Sequence, residues 1–212
     1  MTLLKPFFII VKSLLFLLFD SIALRNTPSP KHESLELVLL IRQDAIGDFV
    51  MWLDTAKEYR QLYPPDKYKI ILVGNKIWSG LAKALPYWDE VIEVDVKQFK
   101  TFSRYRWNLL RKIQNLGVQI AIQPTFSREF YHGDSLIRAS DASRKVGSVG
   151  DMNNRNWLKK TIADGWHTEL IPTSTQIMTE LERNAEFFQG LSLKPYQANY
   201  PKLQFPRTTT TN

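Results

Sequence analysis

Residues 37–62 read LVLLIRQDAIGDFVMWLDTAKEYRQL. The opening apolar run, Leu37 to Ile41, does not alternate with polar residues, which is the pattern of a strand buried on both faces of a parallel sheet. A short polar loop follows, and Gly47-Asp48 then starts an amphipathic helix. A strand, a loop and a helix in that order put Asp48 at the carboxyl end of the first strand, the edge where open α/β sheets bind their ligands. Neither G-x-G-x-x-G nor G-x-x-x-x-G-K-[ST] is present, so the loop lacks both glycine-rich signatures for cradling phosphate. It carries an acid instead.

Outward from this unit the chain alternates. Strands are predicted at 36–41, 69–73, 91–95, 118–122 and 145–149, and helices at 48–62, 77–84, 99–115, 128–139 and 175–190. Ile70-Ile71-Leu72-Val73 is another continuous apolar run. Alternation with short connections implies right-handed βαβ units and a Rossmann-like, doubly wound parallel sheet. The basic, aromatic run from Lys97 to Lys112 offers Phe99, Phe102, Trp107, Leu110 and Ile113 as the buried face of a helix. That reading is preferred to a nucleic-acid surface, and no nucleic-acid partner is expected. The six tryptophans are scattered and are expected in the core.

Composition sets outer bounds. The 212 residues are 44% hydrophobic and 23% charged, enough for one domain with a buried core plus an appendage. With no cysteine, disulfides and thiolate metal sites are excluded. The three histidines, His32, His132 and His167, form no ligand-spaced cluster, and no metal is expected. A net charge of +7 suits anionic partners.

Residues 3–24, LLKPFFIIVKSLLFLLFDSIAL, are apolar but interrupted by Lys5, Lys12 and Asp20. A transmembrane span wants about 18 or more residues with few charges. On a helical wheel Lys5, Lys12, Ser13 and Asp20 share one stripe, which fits a helix in the bilayer interface with its lysines among headgroups. This reading is preferred over a helix packed on the protein's own body and over a cleaved signal, whose core the charges would break. Residues 25–34, RNTPSPKHES, read as a linker, as does the closing SLKPYQANYPKLQFPRTTTTN with Pro195, Pro201 and Pro206.

The ordered set of an apolar strand, Arg42, the triplet Ile46-Gly47-Asp48, a helix and Tyr63-Pro64 before the second strand resembles the amino-terminal half of the heptosyltransferases, within glycosyltransferase family 9. Arg144 to Gly147 and Asn184 to Leu193 are weaker echoes, and the resemblance runs from about Leu35 to about Leu203. It implies the acceptor-binding half of a GT-B enzyme that transfers a sugar, by inversion, onto lipopolysaccharide or a related glycolipid. The domain layout so implied is a membrane-associating segment and linker at 1–30, the Rossmann-like acceptor domain at 31–200, and the start of an interdomain linker at 201–212. The donor, a nucleotide-sugar such as ADP-heptose, would bind a second domain expected to be missing here or supplied by a separate polypeptide. No cofactor is implied. The location implied is cytoplasmic, peripheral on the inner face of the inner membrane.

Inverting transfer needs a base for the acceptor hydroxyl, and the resemblance assigns that role to Asp48. Residue frequencies alone prefer a helix cap. Gly47 would permit a tight turn and close approach of a ligand, or is an ordinary loop glycine. Arg42 could grip an acceptor phosphate or carboxylate, or pair with Asp44 or Asp48. Asp44 could orient Arg42, cap the helix, or be solvated. Thr125, Ser127, Arg128 and His132 could touch the acceptor from the loop after the fourth strand, with a solvated loop as the alternative. A non-catalytic, membrane-associated binding module is the competing function; a nicotinamide-type Rossmann enzyme is disfavoured by the missing glycines.

Overall fold

The computed structural model describes residues 4–25 and 34–202. Its centre is a six-stranded sheet of β1 (Glu36–Arg42), β2 (Tyr68–Asn75), β3 (Glu90–Val94), β4 (Ile120–Gln123), β5 (Arg144–Ser148) and β6 (Glu169–Ile171). The spatial order is β3-β2-β1-β4-β5-β6, and every pairing is parallel. This is the Rossmann order, with Leu40 of β1 level with Leu72 on one side and Ile122 on the other.

Because strand side chains alternate between faces, the apolar run of β1 feeds two cores. Val38 and Leu40, with Ile70, Leu72, Ile122 and Val146, meet α2 (Ile46–Ala56), α3 (Glu58–Leu62) and α9 (Glu180–Ser192) through Phe49, Trp52, Tyr59, Phe187 and Phe188. Leu37, Leu39 and Ile41, with Ile71, Val73 and Ala121, meet the other layer. That layer holds α5 (Val96–Phe99), α6 (Arg104–Gln114) and α7 (Gly133–Ser140), through Phe99, Leu110, Ile113, Leu136 and Ile137. The remaining helices are α1 (Leu4–Ala23), α4 (Ser79–Lys83) and α8 (Trp157–Asp164).

Several local expectations are corrected. The helix expected over 99–115 is two, because the Ser103 side chain accepts from the Arg106 N–H and caps a fresh start. The segment expected as one helix at 48–62 breaks near Lys57 into α2 and α3. The helix expected from 175 begins at a capping box formed by Thr179 and Glu182. β6 and α8 were not anticipated: β6 is a three-residue edge strand, and its one fully apolar pair, Leu170-Ile171, is too short to signal. Trp52, Trp78 and Trp88 are core, but Trp157 is 70% exposed.

The amino-terminal segment is a helix, and part of its expected polar stripe packs on the body while Lys12 stays exposed. Ser13 and Asp20 of the polar stripe are buried against the body, and Phe16 and Ala23 are buried beside them. Asp20 receives two hydrogen bonds from the fully buried Arg106 of α6, at 2.7 Å from Nε and 2.5 Å from Nη2. The Arg106 guanidinium also donates to the Phe99 and Tyr131 carbonyls and the Ser135 hydroxyl. A buried ion pair repays its desolvation only when its other protons are hydrogen-bonded as well, and here they are. No helix among the described residues is long and apolar enough to cross a membrane. The linker at 26–33 and the tail from 203 lie outside the described residues.

Candidate functional site

Between β1 and β4 the strand order reverses, leaving a crevice outside their carboxyl ends. The loops after β1 and after β4 line it. A cavity of about 130 Å³ is bordered by Gln43, Asp44, Gln123, Thr125, Glu129 and His132, among others. It adjoins a wider cleft of about 310 Å³ that shares Asp44, Thr125 and Glu129 and adds Asp48, Asn154 and Glu180.

The first loop is clamped from β2. Trp78 Nε1 donates to the Asp44 carbonyl at 2.9 Å, and Asn75 Nδ2 donates to the carbonyls of Gln43 and Asp44, each at 3.4 Å. The Trp78 ring stacks on Phe49 with centroids 3.9 Å apart and lies over Gly74, where a Cβ would sit 2.3 Å from the ring. Gly74 is therefore needed for the indole to reach the loop. The cleft wall rests on a rigid aromatic block, not on a free loop.

Arg42 is fully buried, and its guanidinium is committed inside the protein. Its Nε lies 2.9 Å from the Asp44 carboxylate, Nη2 donates to Glu180 at 2.6 Å, and Nη1 donates to Asn184 at 2.8 Å. Of the two alternatives, the structure displays the ion pair with Asp44, and Nη2 also donates to the Asp48 carbonyl at 3.4 Å. Burial pushes the Asp44 carboxyl up from its usual range, opposed by Arg42 and reinforced by Asp48. Burial likewise raises Glu180, again opposed by Arg42.

Asp48 differs from its neighbours. It is the third residue of α2, the cap position is Ala45, and no side-chain cap bond is present at that helix. The half-buried carboxylate of Asp48 has no hydrogen-bond or ion-pair partner among the described residues. Every other acid of the cleft has one: Asp44 and Glu180 face Arg42, and Glu129 meets His132 Nδ1 at 2.9 Å. Gly47 occupies an ordinary helical conformation, so the tight turn expected of it is absent; a Cβ there would meet open space.

From β4, Thr125 Oγ1 donates to Asp44 at 3.3 Å and Ser127 donates to Asp151 at 2.9 Å. His132 holds the Glu129 carboxyl below its usual range, with Lys100 assisting. Arg128 turns the other way. It is fully buried, forms ion pairs with Asp134 and Asp164, and donates to the His167 ring. It therefore braces α7 against α8 and is absent from the cleft lining.

That brace has a pH signature. Burial, and then Arg128, push the His167 imidazole down from 6.5 to about 3. The fold thus holds it neutral, while an unfolded chain would protonate it below about 6.5. Stability from this group is complete above 6.5 and is lost as the pH falls toward 3. Asp134, raised by burial, acts in the opposite sense, and Asp164 is held low by Lys160 and Arg128 despite its own burial. Urea unfolding between pH 7 and pH 5 should show a loss on the order of 1 kcal/mol per pH unit. His167→Asn should remove most of that slope; an unchanged slope would refute the assignment.

Sequence reading missed Gln43 and Gln123, which the structure brings together across the crevice. Both amide atoms of Gln43 and Oε1 of Gln123 are buried without a hydrogen-bond partner among the described residues, and so is Nε2 of His132. Gln123 lies over Gly133, where any Cβ would collide with its amide. Each glutamine follows or closes an apolar strand at its carboxyl end, the one local signal that could have marked them. Glu180 and Asn154 left no such signal, since they arrive from distant elements.

No protein-family model matches the chain, and no curated protein matches it in sequence. Solved structures do match. An Escherichia coli heptosyltransferase WaaC, in complex with ADP-2-deoxy-2-fluoro heptose, is 17% identical with a TM-score of 0.54, over 80% of this chain and 51% of that one. An Escherichia coli ADP-heptose lipopolysaccharide heptosyltransferase II is 12% identical with a TM-score of 0.55, over 82% and 47%. A glycosyltransferase family 9 protein from Veillonella parvula is 12% identical with a TM-score of 0.54, over 76% and 43%. The chain spans about half the length of these structures. At such identities the likeness shows the fold: a Rossmann-like domain of the kind found in these transferases.

Proposed function

We propose that this domain is the acceptor-binding half of an inverting glycosyltransferase, and that Asp48 is its general base. The observation that carries the proposal is the unpartnered Asp48 carboxylate at the mouth of a cleft whose other acids are all engaged. In the reaction so read, the acceptor hydroxyl oxygen attacks the anomeric carbon of a nucleotide-sugar and its proton passes to Asp48. The bond from that carbon to the diphosphate breaks, and the nucleoside diphosphate leaves with the electron pair.

The buried amides of Gln43 and Gln123 suit a hydroxyl-rich saccharide, because amides donate and accept with equal ease. The acids Asp44, Asp48, Glu129 and Glu180 make the same cleft hostile to a diphosphate. The donor, by likeness to the heptosyltransferases an ADP-heptose, is therefore read as binding a second domain, in the same or a separate polypeptide. The acceptor is read as lipopolysaccharide or a related glycolipid, and the location as the cytoplasmic face of the inner membrane. Residues 31–200 form the acceptor domain in this reading, with a membrane-associating segment before it and a linker from 201.

Calorimetric titration of the chain tests this directly. A deacylated lipopolysaccharide core oligosaccharide should bind, and Gln123→Ala should weaken it by about tenfold, the worth of a lost hydrogen bond that leaves a polar group unpaired. ADP-heptose should not bind the chain alone. Tight ADP-heptose binding without saccharide binding would overturn the proposal. A non-catalytic module would bind the saccharide equally well, and only the Asp48 experiment in the Discussion separates the two.

A further inference from the structure

We infer that the outward face of α1 lies on an anionic lipid bilayer, as an apolar ridge within a cationic rim. The inference deepens the glycolipid reading of the cleft and rests on it for the choice of surface. Because Asp20 and Ser13 are turned inward, the apolar side of the helix is left outside. Ile10, Leu14, Leu18 and Ile22 repeat every four residues along one face with Leu15 beside them, and all five are 42–58% exposed. Phe102, 47% exposed, continues the ridge from the neighbouring loop, its ring 4.0 Å from that of Phe16. Contiguous apolar surface of this kind marks an interaction site.

Charge selects the occupant. Lys12 is exposed on the helix itself, above the Tyr131 ring. Arg138 reaches the Leu17 carbonyl and the Ser21 hydroxyl, and Arg111 reaches the Ala23 carbonyl. Lys159 also lies over the Tyr131 ring, 4.5 Å from its centroid. Among the described residues none of these cations is ion-paired, and the single acid on the helix, Asp20, is neutralised by Arg106. Two copies meeting through this face would bring like charges together, whereas anionic headgroups would neutralise them and acyl chains would take the ridge.

The position also fits a lipid-borne acceptor. Tyr131, which hydrogen-bonds Ser13 at 3.0 Å, belongs to the same loop as Thr125, Ser127, Glu129 and His132. Arg106 ties that loop to α1 through the Tyr131 carbonyl at 2.8 Å. The bilayer face and the cleft are thus joined by one braced segment.

The test is flotation of the full chain with vesicles of phosphatidylcholine alone and of phosphatidylcholine mixed with phosphatidylglycerol. Partition should be at least about tenfold stronger on the anionic vesicles. It should weaken as salt rises from roughly 0.1 M to 1 M, which shortens the screening length from about 10 Å to 3 Å. Leu14→Glu with Leu18→Glu should abolish it while leaving the urea midpoint and saccharide titration unchanged, and Lys12→Gln should weaken it by about fivefold. Gln123→Ala should float as the parent does. Absence of the parent from both vesicles, undiminished flotation of the double glutamate variant, or a parent dimer split by Leu18→Glu would each overturn the inference. Saccharide binding without flotation removes the bilayer face alone. Flotation without saccharide binding removes the acceptor reading alone.

Discussion

Asp48→Asn is expected to lower turnover by roughly 10²–10⁴-fold, the usual worth of a general base, once a donor domain is supplied by fusion or in trans. The substitution keeps the shape of the side chain and removes its charge and its capacity to take a proton. Since Asp48 sits inside the first turn and makes no cap bond, stability has little to lose. The forfeited interaction with the helix dipole is about 0.3–1 kcal/mol. Saccharide affinity should hardly change, so the loss falls on kcat and not on KM. Steady-state kinetics beside a urea titration provide the check. If the Asn variant transfers sugar at the parent rate, the free carboxylate is incidental, and the domain is better described as a binding module.

Asp20→Ala should cost about 3–5 kcal/mol, the penalty for leaving a buried charge without its partner. Arg106 is fully buried, and its rings of contact, Phe16 and Phe99, centred 4.9 Å and 4.5 Å away, cannot replace the carboxylate. Arg106→Ala should cost at least as much, because it also strips the Phe99 and Tyr131 carbonyls and the Ser135 hydroxyl of their donor. Combining Asp20→Leu with Arg106→Met should recover part of the loss, since an apolar pair avoids the charge penalty but still orphans those acceptors. The prediction fails if chemical denaturation shows either single alanine variant within 1 kcal/mol of the parent, a threshold roughly that of an exposed ion pair.

Local pattern in the sequence determined the class of fold. Unbroken apolar runs at 37–41 and 70–73 require burial on both faces, and only a sheet covered by helices provides it. The order of strand, loop and helix determined that Asp48 stands at the carboxyl edge of β1. Helical periodicity determined that residues 4–23 share a polar stripe and an apolar face. Periodicity states which residues share a face and says nothing of what that face meets. Pattern alone does not show that Asp20 of the stripe turns inward; Arg106, 86 positions away, is what draws it there. Arg42 left its strand beside Asp44 in the sequence, but Glu180, 138 positions on, is what completes its ion pairing. Arg128 and His132 lie in one loop, yet Asp134 and Asp164 draw the first into the interior while the second lines the cavity. Charges buried at low dielectric take whichever opposite charge the fold brings near. That choice, unlike the alternation of apolar residues, is made between segments far apart in the chain, and the tertiary structure alone decides it.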